Sequence, residues 1–569
     1  MDIINFKKAN CKNCYRCLRE CPVKAIAFKD GQAGILNDSC ILCGHCLTVC
    51  PQNAKQVRSD VEAIKKVIAG DKKVIASVAP SFVAAFAYDS LTSIEDALKK
   101  LGFYAARETS EGAAAVTKAY EKQLADRKTP VLISSSCPTV VRLVEKYYPE
   151  SLPALAKVLS PMAAHAKMLK KAYGDAAVVF IGPCISKKDE AGWDKEAVDY
   201  VLTFDELKAW LDESGISPLK TEATRDGSKE LRARFYPVSG GIIKSMGEKL
   251  PDVDYVSVSG INKCRKVLEH LREGELHGYF IEMSACDDSC IGGPCMTSLA
   301  GGLVESARKI SDFAQTVLSE QHGEPEPSDF TSGIDLSRNF AVQTVPNQQP
   351  GERAISEILA KIGKKSKQDE LNCGACGYAS CREKAVAVYQ GKAEINMCMP
   401  YMRERAEYIS DNVIAFTPNA ILVLDSFLNI QALNKAAVEL FGSNSVGNIK
   451  GKYVGELTES SMYEEAIIRK QNILDRKVYL FRNDKYVEHS VIYVQEHNLV
   501  FGIYKDLTAE HRQSDNLKRV KIDTVETADR VIEKQMRIAQ EIAMLLGEST
   551  AETKIALTKL KETMLQEGE

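Results

Sequence analysis

The chain has 569 residues, a length that accommodates about three to four domains. It is 45% hydrophobic and 27% charged, and its net charge of −3 predicts no basic surface for nucleic acid or an anionic membrane. The sequence contains neither an apolar run long enough for a transmembrane helix nor an apolar leader at its start. We therefore expect a cytoplasmic protein that binds neither nucleic acid nor membrane.

The 18 cysteines fall into three groups, with eight in residues 11–50, six in 137–295 and four in 373–398. Clustered cysteines in a cytoplasmic protein are more often metal ligands than disulfides. A cubane iron–sulfur cluster takes four thiolates, so sixteen of these cysteines can hold four cubanes.

Residues 1–58 contain one cysteine motif twice. Each copy has the spacing C-x2-C-x2-C-x3-C-P, and the copies begin at Cys11 and Cys40. The spacing resembles bacterial two-cluster ferredoxins, in which the fourth cysteine of each copy binds the other cluster. The predicted ligands are Cys11, Cys14, Cys17 and Cys50 for one [4Fe-4S] cluster, and Cys21, Cys40, Cys43 and Cys46 for the other. Zinc is the alternative, but it usually takes paired C-x2-C units.

Residues 59–320 are predicted to form one α/β domain. Strand-like apolar runs alternate with helical stretches, which favours a largely parallel sheet covered by helices. The predicted strands cover 74–78, 131–133, 178–181 and 255–258, and the predicted helices include 93–101 and 155–171.

The rest of the chain divides where its composition changes. Residues 321–352 are rich in Pro, Gly and Gln and are predicted to be a linker. Residues 353–408 hold the last cysteine group, and residues 409–510 are predicted to form an α+β module. Apolar residues at helical spacing in 511–569 predict C-terminal helices that serve dimerisation or output.

Three short motifs place four cysteines far apart in the predicted α/β domain: Cys137, Cys184, Cys286 and Cys290. Together these cysteines can hold one cubane built from three distant loops. Because an electron-transfer cluster rarely needs so dispersed a site, the pattern favours a buried cluster with a catalytic role.

These motifs resemble the three signatures of the [FeFe]-hydrogenase active-site domain, over about residues 70–310. The resemblance implies an H-cluster, in which the four cysteines bind a [4Fe-4S] cluster. Cys290 would also bridge to a diiron subsite that carries CO, CN⁻ and a dithiolate. The implied substrates are H2 and protons, with a ferredoxin-like redox partner.

The resemblance extends to residues around the cofactor. Lys187 stands where the family's lysine donates to a cyanide, a charge-assisted hydrogen bond. Pro80 and Ser81 match the segment at the other cyanide, and Ser160 with Pro161 matches a further pair beside the cluster. Groups of this kind orient ligands and tune the metal.

The chain departs from the family along the usual proton relay. Ser136 replaces a cysteine that passes protons, and a serine hydroxyl is not a practical acid at neutral pH. Near-ungapped alignment places Ala113, Val116 and Ala156 at the other relay positions. Losing such a relay costs about 10²–10⁴ in rate, so we predict slow turnover.

Two further groups of residues differ from the family near the cluster. Ser284 stands where the family has a methionine. Cys295, Asp287 and Asp288 are candidates for an alternative proton relay, since each carries an ionisable group close in sequence to a predicted ligand.

The last cysteine group has the spacing C-x2-C-x4-C-x16-C and resembles the small four-iron module of corrinoid iron–sulfur proteins. Its predicted ligands are Cys373, Cys376, Cys381 and Cys398. Zinc is again the alternative. We expect a third [4Fe-4S] cluster outside the H-cluster, placed to carry redox state toward the C-terminal half.

Residues 420–442 and 501–508 resemble the opening and the last strand of a PAS domain. The resemblance implies a five-stranded antiparallel sheet with helices, often used for sensing or dimerisation. His489 and His497 are predicted to be structural rather than haem ligands. The sequence shows no kinase, phosphatase or DNA-binding signature, so we expect a homodimer that signals through a partner kinase or phosphatase.

The leading interpretation is a sensory, PAS-containing [FeFe]-hydrogenase that oxidises H2 slowly and reversibly. One alternative is a metabolic, ferredoxin-linked hydrogenase with another proton route. The other is a non-catalytic iron–sulfur assembly or scaffold protein, against which the retained Lys187, Ser81 and Pro80 argue.

Overall fold

A computed structural model describes most of the chain in two compact units, Met1–Tyr401 and Met402–Glu569. The described residues are 3–126, 128–194, 196–217, 232–247, 249–296, 302–315, 333–346, 348–442, 449–546 and 551–566. Within these ranges no helix is both long and apolar enough to cross a membrane. Much of the predicted linker, through residue 332 and at 347, lies outside them.

The N-terminal module repeats a small unit, as its sequence does. Strand β1 (Ile4–Phe6) pairs antiparallel with β4 (Lys55–Val57), and β2 (Ile26–Lys29) pairs with β3 (Gln32–Ile35). The short helices are α1 (Arg16–Glu20) and α2 (His45–Thr48). Each helix follows a left-handed residue, Tyr15 (φ 57°) or Gly44 (φ 75°), where the cysteine loop turns back on itself.

The central domain contains two parallel sheets rather than one. The first has the order β6–β5–β8–β9 and the second the order β10–β11–β7. The strands are β5 (Val74–Val78), β6 (Ala105–Glu108), β7 (Val131–Ile133), β8 (Ala177–Gly182), β9 (Tyr200–Thr203), β10 (Asp254–Ser259) and β11 (Tyr279–Ser284). The predicted strands and their parallel direction are found, but the apolar pattern carries no information on which strands are neighbours.

Helices cover both sheets. They are α3 (Val61–Ile68), α4 (Phe82–Ala85), α5 (Leu91–Lys100), α6 (Ser110–Ala125), α7 (Pro138–Tyr147), α8 (Pro161–Tyr173), α9 (Ser186–Glu190), α10 (Phe204–Glu213), α11 (Gly241–Ser245), α12 (Ile261–Arg272) and α13 (Gly302–Ala314). The predicted helix over 155–171 begins late, at Pro161. Proline fits the first helical position, and the Ser160 hydroxyl caps the helix by accepting from the Ala163 amide.

A buried ion pair ties the central domain together. The Arg234 guanidinium donates to the Glu108 carboxylate at 2.8 Å and to the Phe313 carbonyl at 2.7 Å. Both charged side chains are almost completely buried. The arginine therefore joins the end of β6 to α13 in the apolar core.

Unit 1 ends with α14 (Glu352–Lys361) and α15 (Cys381–Tyr389), and α16 (Met399–Phe416) leads into unit 2. Unit 2 contains the expected five-stranded antiparallel sheet, in the order β13–β12–β16–β15–β14. Its elements are β12 (Ala420–Leu424), β13 (Ile430–Leu433), α17 (Lys435–Phe441), α18 (Ser461–Arg469), β14 (Ile473–Leu480), β15 (Lys485–Val494), β16 (Leu499–Asp506), α19 (Thr508–Leu546) and α20 (Ala551–Gln566).

Two features of unit 2 bear on the sequence predictions. His489 is buried against Tyr504, with ring centroids 3.9 Å apart, whereas His497 is exposed. Burial lowers the pKa of His489 to about 4, so its ring stays neutral. On α19 the predicted apolar row is exposed, at Val531 and Ile542 among others.

Candidate active site and cluster sites

The four central cysteines meet because each follows the carboxyl end of a parallel strand. Cys137 follows β7, Cys184 follows β8, and Cys286 and Cys290 follow β11. The carboxyl ends of parallel strands share one edge, where α/β folds place their ligands. Cysteines far apart in sequence therefore come together.

The electrostatics of these thiols confirm that they lie close together. Burial raises the pKa of Cys290 to about 12 and that of Cys184 to about 11, and negative charge on Cys137 raises both further. The pKa of Cys286 is raised well above its ordinary value by burial and then by the other three thiols. Metal ligation requires thiolates, so these four groups call for a strong cationic partner.

A cavity of about 110 Å³ opens beside the four cysteines. It is lined by seven of the predicted residues: Pro80, Ser81, Ser136, Cys137, Cys184, Lys187 and Cys290. Motifs separated by two hundred residues in the sequence thus form one pocket wall.

Lys187 is held at the wall of this cavity by an ion pair. Its ammonium donates to Glu190 at 2.6 Å and to the Ser136 carbonyl at 3.3 Å. Glu190 also accepts from Arg338 at 3.2 Å, so two cations share one buried carboxylate. The lysine keeps donor capacity for a further acceptor in the cavity.

The cavity fits a cofactor that is bound by thiolate and carries hydrogen-bond acceptors. The Ser81 hydroxyl is fully buried and has no hydrogen-bond partner among the described residues. Such a group calls for an acceptor from outside the chain. Packing around Cys290 is also close, since a Cβ on Gly293 would lie 2.9 Å from the Cys290 carbonyl oxygen.

Five predicted site residues of the central domain lie outside the cavity wall: Ser160, Cys286, Asp287, Asp288 and Cys295. Ser160 is buried as the cap of α8, where its role is structural. Asp287 and Asp288 are exposed, and Cys295 packs in an apolar cluster with Ile185. None of these three residues lines the cavity, and a relay through them stays a prediction.

The residue that faces Ser136 was not foreseen. The Tyr120 hydroxyl lies 2.9 Å from the Ser136 Oγ, whereas sequence comparison had placed Ala113 and Val116 at the relay positions. Tyr120 is completely buried on α6, and burial raises its pKa. The 3.6-residue period places Ala113, Val116 and Tyr120 along one face of α6 but does not say which meets Ser136.

Several N-terminal cysteines lie close enough to influence one another's pKa, while the two ligand sets stay a prediction. Negative charge on Cys21 raises the pKa values of Cys43 and Cys46, which places the fourth cysteine of the first copy with the second copy. The Lys55 charge lowers the pKa of Cys50 and opposes the rise that burial causes in the pKa of Cys17, so the lysine lies near both thiols.

The second of these cysteine sets lies beside the central site. Cys43 is near enough to Cys286 for its charge to raise the pKa of that thiol. The modules also approach closely at Gly44, where a Cβ would lie 2.5 Å from the Pro294 Cγ. The two cysteine sets are therefore neighbours.

The last cysteine group surrounds a buried lysine. Lys384 donates to the Ile395 carbonyl at 2.8 Å, and its charge faces three of the four predicted ligands. These are Cys376, Cys381 and Cys398.

This module packs against the N-terminal one, which its position in the sequence does not suggest. The Lys24 ammonium donates to the Gly377 carbonyl at 3.1 Å, and the Phe28 amide donates to the Lys392 carbonyl at 3.0 Å. Tyr378 is buried between the two cysteine sets, close to Cys21. The third cluster site thus adjoins the N-terminal pair.

Comparisons with known families agree with this division of the chain. Residues 72–294 match the family described as iron only hydrogenase large subunit, C-terminal domain. Residues 3–51 match a 4Fe-4S dicluster domain, and residues 369–400 match an Fe-S cluster family.

Three curated relatives show how far the likeness extends. The NADP-reducing hydrogenase subunit HndD of Solidesulfovibrio fructosivorans is 26% identical over 50% of this chain and 60% of its own length. Iron hydrogenase 1 of Clostridium pasteurianum is 25% identical over 43% of this chain and 53% of its own length. The nuclear prelamin A recognition factor of Xenopus laevis is 23% identical over 52% of this chain and 86% of its own length.

The chain thus spans about half to three fifths of the two hydrogenases. Residues 72–294 carry an iron-only hydrogenase large-subunit domain, and the chain is an [FeFe]-hydrogenase-like iron–sulfur protein.

Proposed function

We propose that this protein is a cytoplasmic, sensory [FeFe]-hydrogenase that oxidises H2 slowly and reversibly. The cavity beside Cys290 is the observation that carries the proposal. It combines a thiol ligand, the Lys187 ammonium and the unpartnered Ser81 hydroxyl in one enclosed space. A scaffold for a simple cubane needs none of these beyond the cysteines.

The chain's own residues would hold an H-cluster there. Cys137, Cys184, Cys286 and Cys290 would bind the cubane, and Cys290 would bridge to the diiron subsite. That subsite supplies the chemistry that interconverts H2 with two protons and two electrons. Lys187 would donate to one of its cyanides by a charge-assisted bond.

Electrons would leave through the [4Fe-4S] cluster at Cys43, which adjoins Cys286. From the N-terminal pair they would reach the cluster of residues 373–398, whose module packs on α1. Three [4Fe-4S] clusters would then serve one H-cluster.

The blocked path at Ser136 supports slow turnover. From Ser136 the hydrogen bonds run through Tyr120 to the Ser135 hydroxyl, which donates to the Val158 carbonyl at 2.7 Å. A backbone carbonyl accepts a hydrogen bond but passes no proton on. The hydrogen-bond chain from Ser136 therefore offers no route for protons to solvent.

The C-terminal unit supports a signalling role. Its antiparallel sheet has the strand content of a PAS domain, and α19 presents exposed apolar residues such as Val531, Ile538 and Ile542. Exposed apolar rows on long helices are typical of a helical interface. We propose that this region forms a homodimer and engages a kinase or phosphatase.

A metabolic hydrogenase is the second candidate. It is favoured because the N-terminal cluster sites lie next to both the central site and the third cluster site. Infrared spectra of anaerobically matured protein, with and without H2, test both hydrogenase proposals. CO and CN⁻ bands that respond to H2, together with slow turnover, are expected of the sensor. Fast turnover would favour the metabolic enzyme. Absent bands, beside a working control, would favour the scaffold protein.

A further inference from the structure

Four polar side chains form a row on one face of β10 and β11, beside the cavity. In the parallel register of these strands Ser257 stands opposite Glu282, and Ser259 stands opposite Ser284. Because side chains alternate along a strand, all four lie on the same face. Ser239, in the turn before α11, packs onto this row.

Hydrogen bonds join the four serines into one chain. Ser284 donates to the Ser259 hydroxyl at 3.1 Å, and the Ser239 Oγ lies 2.8 Å from Ser259 and 3.0 Å from Ser257. Ser257 stands beside the Glu282 carboxylate, and the Gly240 amide donates to both, at 2.9 Å to each. Ser284 and Glu282 line the cavity, whereas Ser239 is exposed to solvent. The chain thus connects the cavity to the surface.

Two other hydroxyl networks that touch the cavity end on backbone carbonyls in the part of the chain that the structure describes. The one at Ser136 ends on a backbone carbonyl. A second runs from Tyr236 through Thr117 to Ser245, and the last two hydroxyls also donate to backbone carbonyls.

A third network runs from Thr109 through Ser77 to His165. Its last step is weak, because the His165 Nε2 lies 3.4 Å from a Glu111 oxygen without an aligned hydrogen bond. Among the described residues, only the Glu282 row couples a carboxyl on the cavity wall to an exposed hydroxyl.

The carboxyl of Glu282 is suited to exchange protons. Burial raises its pKa to about 7, although amide donors such as those of Gly240 and Ile243 oppose the shift. Tyr236 is the titratable group facing it, and burial keeps that phenol neutral by raising its pKa well above the ordinary value. An acid with a pKa near the working pH transfers protons in both directions.

We propose that Glu282 and the four serines conduct protons between the cavity and solvent, in place of the relay that this chain lacks. The inference rests on the proposed function. Each H2 oxidised yields two protons and two electrons, and the electrons leave through the clusters. Each proton binds the Glu282 carboxylate, then passes by way of Ser257 and Ser239 to water, which restores the carboxylate. Ser284, where the family has methionine, adds a second hydroxyl at the cavity.

Variants of the full chain, matured anaerobically, test the route. We expect Glu282→Gln to lower H2 oxidation by about 10²-fold and to remove the pH inflection near neutrality. Glu282→Asp keeps an acid and should retain part of the rate, while Ser239→Ala and Ser284→Met should each slow turnover. Ser245→Ala is the matched control and should keep the wild-type rate. The CO and CN⁻ bands establish in every variant that the cofactor is present.

A second measurement does not depend on turnover. In protein holding its cubanes but no diiron subsite, infrared difference spectra should show the carbonyl stretch of protonated Glu282 as the pH falls below about 7. The band should be missing in Glu282→Gln. Its shift on transfer to D2O should be slower in Ser239→Ala. A glutamate that only anchors the turn before α11 would give no such dependence on Ser239.

The outcomes separate the route from the proposed function. Wild-type protein without H2-responsive CO and CN⁻ bands would overturn the proposed function, while the carboxyl titration would still report on the row itself. If those bands are present and Glu282→Gln and Ser284→Met keep the wild-type rate and pH profile, the proton route is overturned and the hydrogenase proposal stands.

Discussion

The central site and the N-terminal pair use the same ligand, the cysteine thiolate, but gather it in different ways. The N-terminal cysteines lie in one stretch, residues 11–50, and their loops need only local turns. The central cysteines come from three strand ends, so two sheets must fold before they meet. The N-terminal pair depends on the spacing of its cysteines in the sequence, and the central site depends on the topology of two sheets. We therefore expect that a substitution can disrupt one site and leave the other intact.

The sharpest way to separate the two sites is Cys290→Ser. Serine does not supply a thiolate, so we expect complete loss of the CO and CN⁻ bands and of any response to H2. Electron paramagnetic resonance of the reduced N-terminal clusters should be unchanged.

The control for this change is Cys264→Ala. Cys264 is a buried thiol outside the predicted ligand sets, bonded to the Ser284 carbonyl at 3.3 Å. It should keep the infrared bands. Loss of the N-terminal signals in Cys290→Ser would show that the two sites are not independent.

We also expect a large loss of stability from a substitution far from the predicted cluster ligands, at the buried ion pair of the central domain. Arg234→Met leaves Glu108 buried without its partner, and we expect the free energy of unfolding to fall by about 3–5 kcal/mol. Both tryptophans of the chain lie in the central domain, so their fluorescence follows its unfolding. The central cubane is lost with the central domain, so the cluster absorbance that remains after this transition follows the N-terminal and third cluster modules.

Two controls belong with this measurement. Arg308→Met removes an exposed ion pair and should cost less than about 1 kcal/mol. Adding Glu108→Gln to Arg234→Met should recover part of the loss. If the tryptophan fluorescence and all of the cluster absorbance are lost together in Arg234→Met, the two sites are not disrupted independently.

A smaller effect is expected where the third cluster module packs on α1. Gly377 has φ 92°, and a Cβ there would lie 3.0 Å from Leu18. Gly377→Ala should cost about 1–3 kcal/mol and weaken the magnetic coupling between neighbouring reduced clusters. In Gly374→Ala the backbone strain is similar (φ 69°) but α1 is not touched, so the coupling should persist. Equal loss of coupling in both variants would argue against the packing.

The smallest effect concerns charge within the N-terminal pair. Lys55→Gln removes a buried cation whose charge acts on Cys17 and Cys50. A nearby positive charge favours the reduced cluster, so we expect reduction potentials to fall by tens of millivolts in a redox titration. The exposed Lys29→Gln should leave them unchanged. A rise in potential would contradict this placement of Lys55.

Sequence alone predicts most of what depends on local order. The strands at 74–78 and 131–133 are found as predicted, and the crossed ligand sets of the N-terminal pair stay a prediction. The cavity residues were predicted as well, because the family signatures name them residue by residue. Local patterns and spacing survive into the structure unchanged.

What the sequence did not predict depends on contacts between distant segments. The contact of Tyr120 with Ser136 requires α6 to cross the end of β7, and no period of α6 alone selects that residue. The packing of residues 373–398 on the N-terminal module joins segments more than three hundred residues apart. The row around Glu282 appears only once β10 and β11 are in register.

The close approach of Gly44 to Pro294 limits which modules can replace the N-terminal module of this protein. With no room for a Cβ between them, a foreign electron-carrying module grafted onto the central domain would need glycine at that one position to seat. Modules that look interchangeable by their cysteine spacing would differ in this respect. The absence of a side chain at Gly44 thus determines which electron-carrying modules can be joined to the central domain.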